Sequence, residues 1–316
     1  MNHFCKIIVA FLALGAIACG GADSASKQAK AESMVVEKQP RKPLLHQFQP
    51  PQPPIHLDRE GQLDYLLTHF WDGFDFADTA GLATIDTAVM LQRMGLFGAL
   101  AAQRPLDRAP IDSLMRRATA SRPMLDLFLY LSEMVFHDPN SPLRNDEHYI
   151  PILEAQLSTD FYDEYERIAP EYDLQLARQN RIGHRANNFR YATADGRRGS
   201  LYDLQADYVL LFFNNPDCAM CKELREQIGQ SQLLTELIAS GRMQVLALYP
   251  DEDLTAWKAY QPNIPASWIN SYDPGCRIRE DNLYNLNAIP SLYLLDRQKK
   301  VLVKDAASIA EIEQGL

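Results

Sequence analysis

The chain has 316 residues, a formal net charge of -10 and 47% hydrophobic residues. That length exceeds one ordinary domain, so two domains with tails are expected, and the apolar content is that of a folded, soluble protein. The acidic balance, with no basic stripe anywhere, excludes nucleic-acid binding as the main activity.

Residues 1–18 read as a secretory signal, with Lys6 near the start, an apolar core from Ile7 to Leu14 and small residues up to Cys19. The apolar run is too short to span a bilayer. Ala16-Ile17-Ala18-Cys19, followed by Gly20-Gly21, resembles the bacterial lipobox, in which the cysteine is lipidated and becomes the first mature residue. Ordinary cleavage after Ala18, leaving a free cysteine, is the alternative. Cys5 leaves with the signal in both cases, so Cys218, Cys221 and Cys276 are the cysteines of the folded part. An exported chain meets an oxidising compartment, where an odd count leaves one thiol without an intramolecular partner.

Residues 19–56 read as a tether. They lack apolar periodicity and end in the cluster Pro50, Pro51, Pro53 and Pro54, which stiffens the chain and holds the folded body away from a membrane surface. Residues 57–180 read as a separate all-α domain. Leu63, Leu66, Leu67 and Phe70 mark one apolar helix face, and Thr87, Met90, Leu91, Met94 and Phe97 a second. Leu125 to Phe136 suits a buried helix, His137 to Pro142 breaks it, and Tyr149 to Leu157 and Phe161 to Gln179 resume helical spacing. The run His69 to Phe76 is aromatic and acidic, a composition also seen at sugar or metal sites, but it reads as helix-terminal packing with Gly73 at a cap and Asp75 and Asp78 as turn or cap residues. His137, His148 and His184 stand alone and read as surface or capping residues rather than ligands.

The chemistry lies in residues 181–316. Asn188 to Thr193 and Gly199 to Leu204 flank Asp195-Gly196 as two short strands across a turn. Val209 to Phe213 is a continuous apolar run, as expected for a central strand covered on both faces, and Pro216-Asp217 ends it. Cys218 then falls at the mouth of a helix running to about Ala239, where unpaired N–H groups and the helix dipole favour thiolate. Cys221, three residues on, shares that helix face and is close enough to resolve a mixed disulfide formed by Cys218. A zinc site is the rival reading, but the second short-spaced Cys/His pair that such sites need is missing; a static structural disulfide is the other. Gly241 ends the helix, Met243 to Tyr249 supplies a second buried strand and Leu254 to Tyr260 a short helix. Asn282 to Leu286 reads as helical, Ile289-Pro290 precedes the strand Ser291 to Leu295, Asp296 to Lys299 turns into Lys300 to Val303, and Ile309 to Leu316 closes the chain as a helix. The result is one mixed sheet with helices on its faces.

Cys218-Ala219-Met220-Cys221 at a helix start, Asn188-Phe189 and Asp195-Gly196 before Ser200-Leu201, and Ala288 to Asp296 together resemble the α/β thioredoxin fold, particularly exported thiol-disulfide oxidoreductases of the TlpA/ResA type. The resemblance implies a cis proline at Pro290 lying against the dithiol, with Ile289 offering backbone hydrogen bonds to a bound chain. It also marks two departures: Phe212 and Leu224 stand where many family members carry acidic or amide side chains. Phe70 to Phe76 and Pro142-Leu143-Arg144-Asn145-Asp146 resemble the uncharacterised helical DUF5106 domain, which supplies no activity.

The expectation is an envelope-anchored thiol-disulfide oxidoreductase with Cys218 as nucleophile, Cys221 as resolving thiol, Ile289 and Pro290 shaping the substrate groove, and Cys19 as lipid anchor. Its partners are protein thiols and disulfides and an envelope electron donor; no cofactor or metal is called for. The competing reading is a non-enzymatic lipoprotein whose helical domain binds a partner and whose dithiol is structural or redox-sensing. A peroxidase is disfavoured, because no Pro-x-x-x-Thr-x-x-Cys segment occurs.

Overall fold

The computed structural model describes residues 48–316, so the signal, Cys5, Cys19 and the tether up to residue 47 lie outside the described residues. Six helices come first: α1 (Arg59–His69), α2 (Thr87–Ala101), α3 (Ala109–Ala118), α4 (Arg122–Phe136), α5 (Asp146–Leu157) and α6 (Glu164–Ala177). Most begin on a side-chain cap that the sequence supplies. Asp58, Asp86, Ser121 and Asn145 accept from first-turn N–H groups, and Asp163 with Glu166 forms a capping box. The core is aromatic: Trp71 lies edge-on to Phe97 and Phe128, and Phe74 and Phe76 close over Phe128.

α1 ends on Phe70, so Gly73 lies in the turn beyond the cap, while Asp75 and Asp78 accept from Ala77 N and Gly81 N as turn residues. Phe48 lies within the expected tether, yet its ring stacks on Trp71 at 5.2 Å and is buried. The tether's end is therefore part of the helical core. His148 is a core residue rather than a surface one, edge-on to Phe136 and with its Nε2 3.4 Å from the Arg104 carbonyl. Burial lowers its pKa, the neutral ring being the form that an apolar site accepts.

Seven strands follow: β1 (Arg190–Thr193), β2 (Arg198–Ser200), β3 (Tyr208–Phe213), β4 (Met243–Tyr249), β5 (Ile269–Tyr272), β6 (Ser291–Asp296) and β7 (Val301–Ala306). They form one mixed sheet in the order β2-β1-β5-β4-β3-β6-β7. β3 pairs in parallel with β4 and antiparallel with β6, so its apolar run sits at the centre with both faces covered. The expected helix to Ala239 is broken at Ser231, which is the C-cap of α7 (Ala219–Gln230) and the N-cap of α8 (Gln232–Ala239). Gly241 takes the left-handed φ of 73° that ends α8. α9 (Leu254–Tyr260) falls where expected, and α11 (Ile309–Gln314) closes the chain.

Asn282 to Leu286 is not helical. The short α10 (Arg277–Glu280) comes before it, Asn282 adopts a left-handed φ of 50°, and the Asn180 and Asn187 amides both donate to the Leu283 carbonyl. Those tertiary bonds replace the helical ones. The fold classes expected for the two parts, all-α and α/β, are both present.

Candidate functional site

β3 delivers the chain to the site. Asn214 is buried and ties its N–H to the Leu248 carbonyl and its amide to the Phe212 carbonyl, extending the strand past its last apolar residue. The Asn215 amide donates to Asp251 Oδ2 at 2.8 Å, fixing the turn to the end of β4. Pro216 then prevents further pairing, and the chain enters α7 with Cys218 as N-cap.

The two cysteines meet as a disulfide with Cα atoms 5.1 Å apart. Cys221 is fully buried among Leu210, Phe212, Leu224 and Leu292, whereas Cys218 is partly exposed beside the exposed Met220. The Cys221 N–H points at Cys218 Sγ from 3.0 Å. A cysteine at this position receives a backbone donor and the positive end of the helix dipole, the two influences that stabilise a thiolate.

The Ile289-Pro290 peptide is cis, as the resemblance implied, and the Ile289 carbonyl oxygen lies 3.8 Å from Cys218 Sγ. Thus the Cys218–Cys221 pair and the Ile289-Pro290 pair, far from each other in sequence, are brought to one place. Pro290 is buried while Ile289 is partly exposed beside the Cys218 sulfur. Ser291, which the sequence marks only as the start of a strand, fastens this segment: its hydroxyl donates to Asp305 Oδ1 at 2.6 Å.

Phe212 is fully buried and edge-on to Trp268, and Leu224 packs in the same cluster, so both departures from the acid-bearing pattern are apolar contacts around Cys221. Cys276 is a free, buried thiol at the start of α10, and burial pushes its pKa up. It takes no part in the disulfide. Cys19 lies outside the described residues.

The model of a domain of unknown function, DUF5106, matches residues 18–180. A thioredoxin-like protein from Bacteroides caccae has a solved structure that superposes with a TM-score of 0.80 at 38% identity, covering 85% of this chain and 98% of that one. The C-terminal domain of an uncharacterised protein from Bacteroides fragilis is 44% identical over 43% of this chain and 96% of its own, with a TM-score of 0.42. A conserved protein of unknown function from the same species is 33% identical over 42% of this chain and 98% of its own, with a TM-score of 0.41. Among curated proteins none matches the chain.

Proposed function

We propose a thiol-disulfide oxidoreductase activity for this chain, which belongs to the DUF5106 family and is a thioredoxin-like protein. The observation that carries the reading is the pairing of a partly exposed Cys218 at a helix N-cap with a buried Cys221 and the carbonyl of the partly exposed Ile289. A structural disulfide needs neither the asymmetry in exposure nor the adjacent backbone acceptor.

In the reductive direction the Cys218 thiolate attacks one sulfur of a substrate disulfide, and the other leaves as a thiolate that takes a proton from solvent. Cys221, once deprotonated, attacks Cys218 Sγ, expels the second substrate thiolate and closes the Cys218–Cys221 disulfide. Two electrons have moved from the dithiol to the substrate, and a donor dithiol in the cell envelope returns the protein to its reduced form. The groove is lined by Ile289 and Pro290, with the Ile289 backbone available to an extended client chain, as in strand addition. Phe212 and Leu224 supply no proton acceptor beneath Cys221, so deprotonation of Cys221 relies on water reaching it past Cys218.

The sequence features before residue 48 support an exported protein held to a membrane through a lipid on Cys19 and facing the periplasm or cell surface. Insulin reduction by the soluble chain under a dithiol donor tests the activity. Turnover that is abolished in Cys218→Ser supports the proposal; turnover equal to that of the donor alone favours a structural or sensing disulfide.

A further inference from the structure

The segment Pro142-Leu143-Arg144-Asn145-Asp146 belongs to the helical domain, yet two of its side chains work on the sheet. Arg144 Nη2 donates to the Asp305 carbonyl at 2.9 Å and lies 3.0 Å from Asp305 Oδ2. Asp146 Oδ2 lies 2.7 Å from Lys304 Nζ. All four side chains are largely withdrawn from solvent, at 15% exposure or less.

A defect in the sheet makes these contacts possible. Leu292 pairs with Ala306 and Leu294 with Val303, so Lys304 and Asp305 together oppose the single residue Tyr293. Such a bulge re-aims side chains that a regular strand would alternate across its two faces. Asp305 accordingly carries a left-handed φ of 52°. Lys304 Nζ also donates to the carbonyls of Ala177 and Gln179, at and beyond the last turn of α6, where a cation is favoured. The helical domain therefore grips both bulge residues.

Asp305 connects this grip to the site. Its Oδ1 accepts from the Ser291 hydroxyl while its Oδ2 faces Arg144, and Ser291 is the residue directly after Pro290. Side-chain contacts thus run from Arg144 through Asp305 to Ser291, and the backbone continues through Pro290 to the Ile289 carbonyl beside Cys218.

We propose that Arg144 is a positioning residue for the redox site, through which the helical domain holds the Ile289-Pro290 segment in place to receive a polypeptide client. This rests on the oxidoreductase reading and assigns the helical domain a part in it. Arg144 touches no reacting atom. Its loss leaves the dithiol intact and loosens the backbone that a client must pair with.

The test uses the full soluble chain with Arg144→Gln, Ser291→Ala and the double variant. Steady-state reduction of a disulfide-bonded peptide is measured alongside alkylation of reduced Cys218 by iodoacetamide and hydrogen exchange of the peptide spanning 286–292. Each single variant is expected to lower kcat/KM for the peptide about tenfold, mainly through KM, the scale of losing one charge-assisted contact. The double variant should lose little more, because both changes break one chain of contacts. Alkylation in Arg144→Gln should stay at the wild-type rate, exchange at 286–292 should rise, and Arg144→Lys should restore part of the loss. Wild-type kcat/KM in a folded Arg144→Gln protein, or losses that multiply in the double variant, would overturn the proposal. Faster exchange at 286–292 in variants of a wild type that reduces no peptide would uphold the mechanical link and defeat the oxidoreductase reading instead. Unchanged exchange in that case would defeat both.

Discussion

The carbonyl oxygen of Ile289 stands 3.8 Å from Sγ of Cys218, although the two residues are 71 apart in the chain. The contact exists because β3 and β6 are antiparallel neighbours, with Phe213 opposite Ser291 in register. The end of β3 launches the cysteine turn just where β6 begins. Sheet pairing, not local sequence, brings Cys218 and the Ile289 backbone together.

Exposure separates the cysteines. In the reduced protein Cys218 should be alkylated at least about tenfold faster than Cys221 or Cys276, since thiolate character and access both favour it. Cys221 is fully enclosed, and Cys276 is buried with its thiol pKa raised. Mass spectrometry after a short iodoacetamide pulse reads the three sites separately. Comparable labelling of Cys218 and Cys221 would contradict their assigned roles.

Asp305 gives the fold a pH signature. Burial pushes its carboxyl up to about 6 from an ordinary 3.8, with Arg144, the Ser291 hydroxyl and Lys304 opposing that rise and Asp146 adding to it. Between those two values the folded chain keeps a proton that the unfolded chain has released. Stability from this group therefore falls as pH rises through the window, by roughly 2 to 3 kcal/mol in all. The stability difference between wild type and Asp305→Asn, from urea unfolding at pH values from 3.5 to about 7, should decline across that window and level off above it. A flat difference would mean that Asp305 ionises as an ordinary carboxyl.

The ring of Phe48 anchors the start of the described chain in the helical core, against Phe70, Trp71 and Phe74. Phe48→Ala should cost about 3 kcal/mol, as for other buried aromatic truncations. Urea unfolding measures it. A loss below about 1 kcal/mol would return Phe48 to the tether.

On the lipid-anchor proposal, Cys19→Ala should release the protein from the membrane fraction while leaving the dithiol's reactivity unchanged, because Cys19 lies far from Cys218 and Cys221 in the sequence. Unchanged membrane association would defeat the lipid-anchor proposal.

What could be read from the sequence follows the physics of each segment. Tyr208 to Phe213 is apolar along its length and Met243 to Tyr249 is interrupted only by Gln244, and burial on both faces satisfies such runs. The strand Ile269–Tyr272 went unseen because Asn270 and Ser271 interrupt the apolar run. Its polar groups are satisfied only in the fold: Asn270 accepts from the Trp257 indole, and Ser271 donates to the Ala247 carbonyl. In Asn282 to Leu286 only the spacing of Leu283 and Leu286 is helical, and Asn180 and Asn187 claim its backbone from a distance. The helix α3 lies between two loops and was not singled out, although Arg116 and Arg117 in its last turn are the ordinary mark of a helix end. At the site, the Cys218–Cys221 spacing and Pro290 carry a local signature. Asp305 carries none, and the stretch around Arg144 marks only the helical-domain resemblance, because their meeting depends on a bulge across 161 residues of separation.

The central claim, that Cys218 attacks client disulfides and Cys221 resolves them, is tested most directly by removing the resolving step. Cys221→Ser is incubated in its reduced form with a disulfide-bonded peptide, quenched with acid and mapped by mass spectrometry. The account predicts that one peptide accumulates in a disulfide with Cys218 and that a dithiol releases it, whereas the wild type passes through this adduct without building it up. A Cys221→Ser protein that forms no adduct at Cys218 would show that this pair of cysteines is a structural bond.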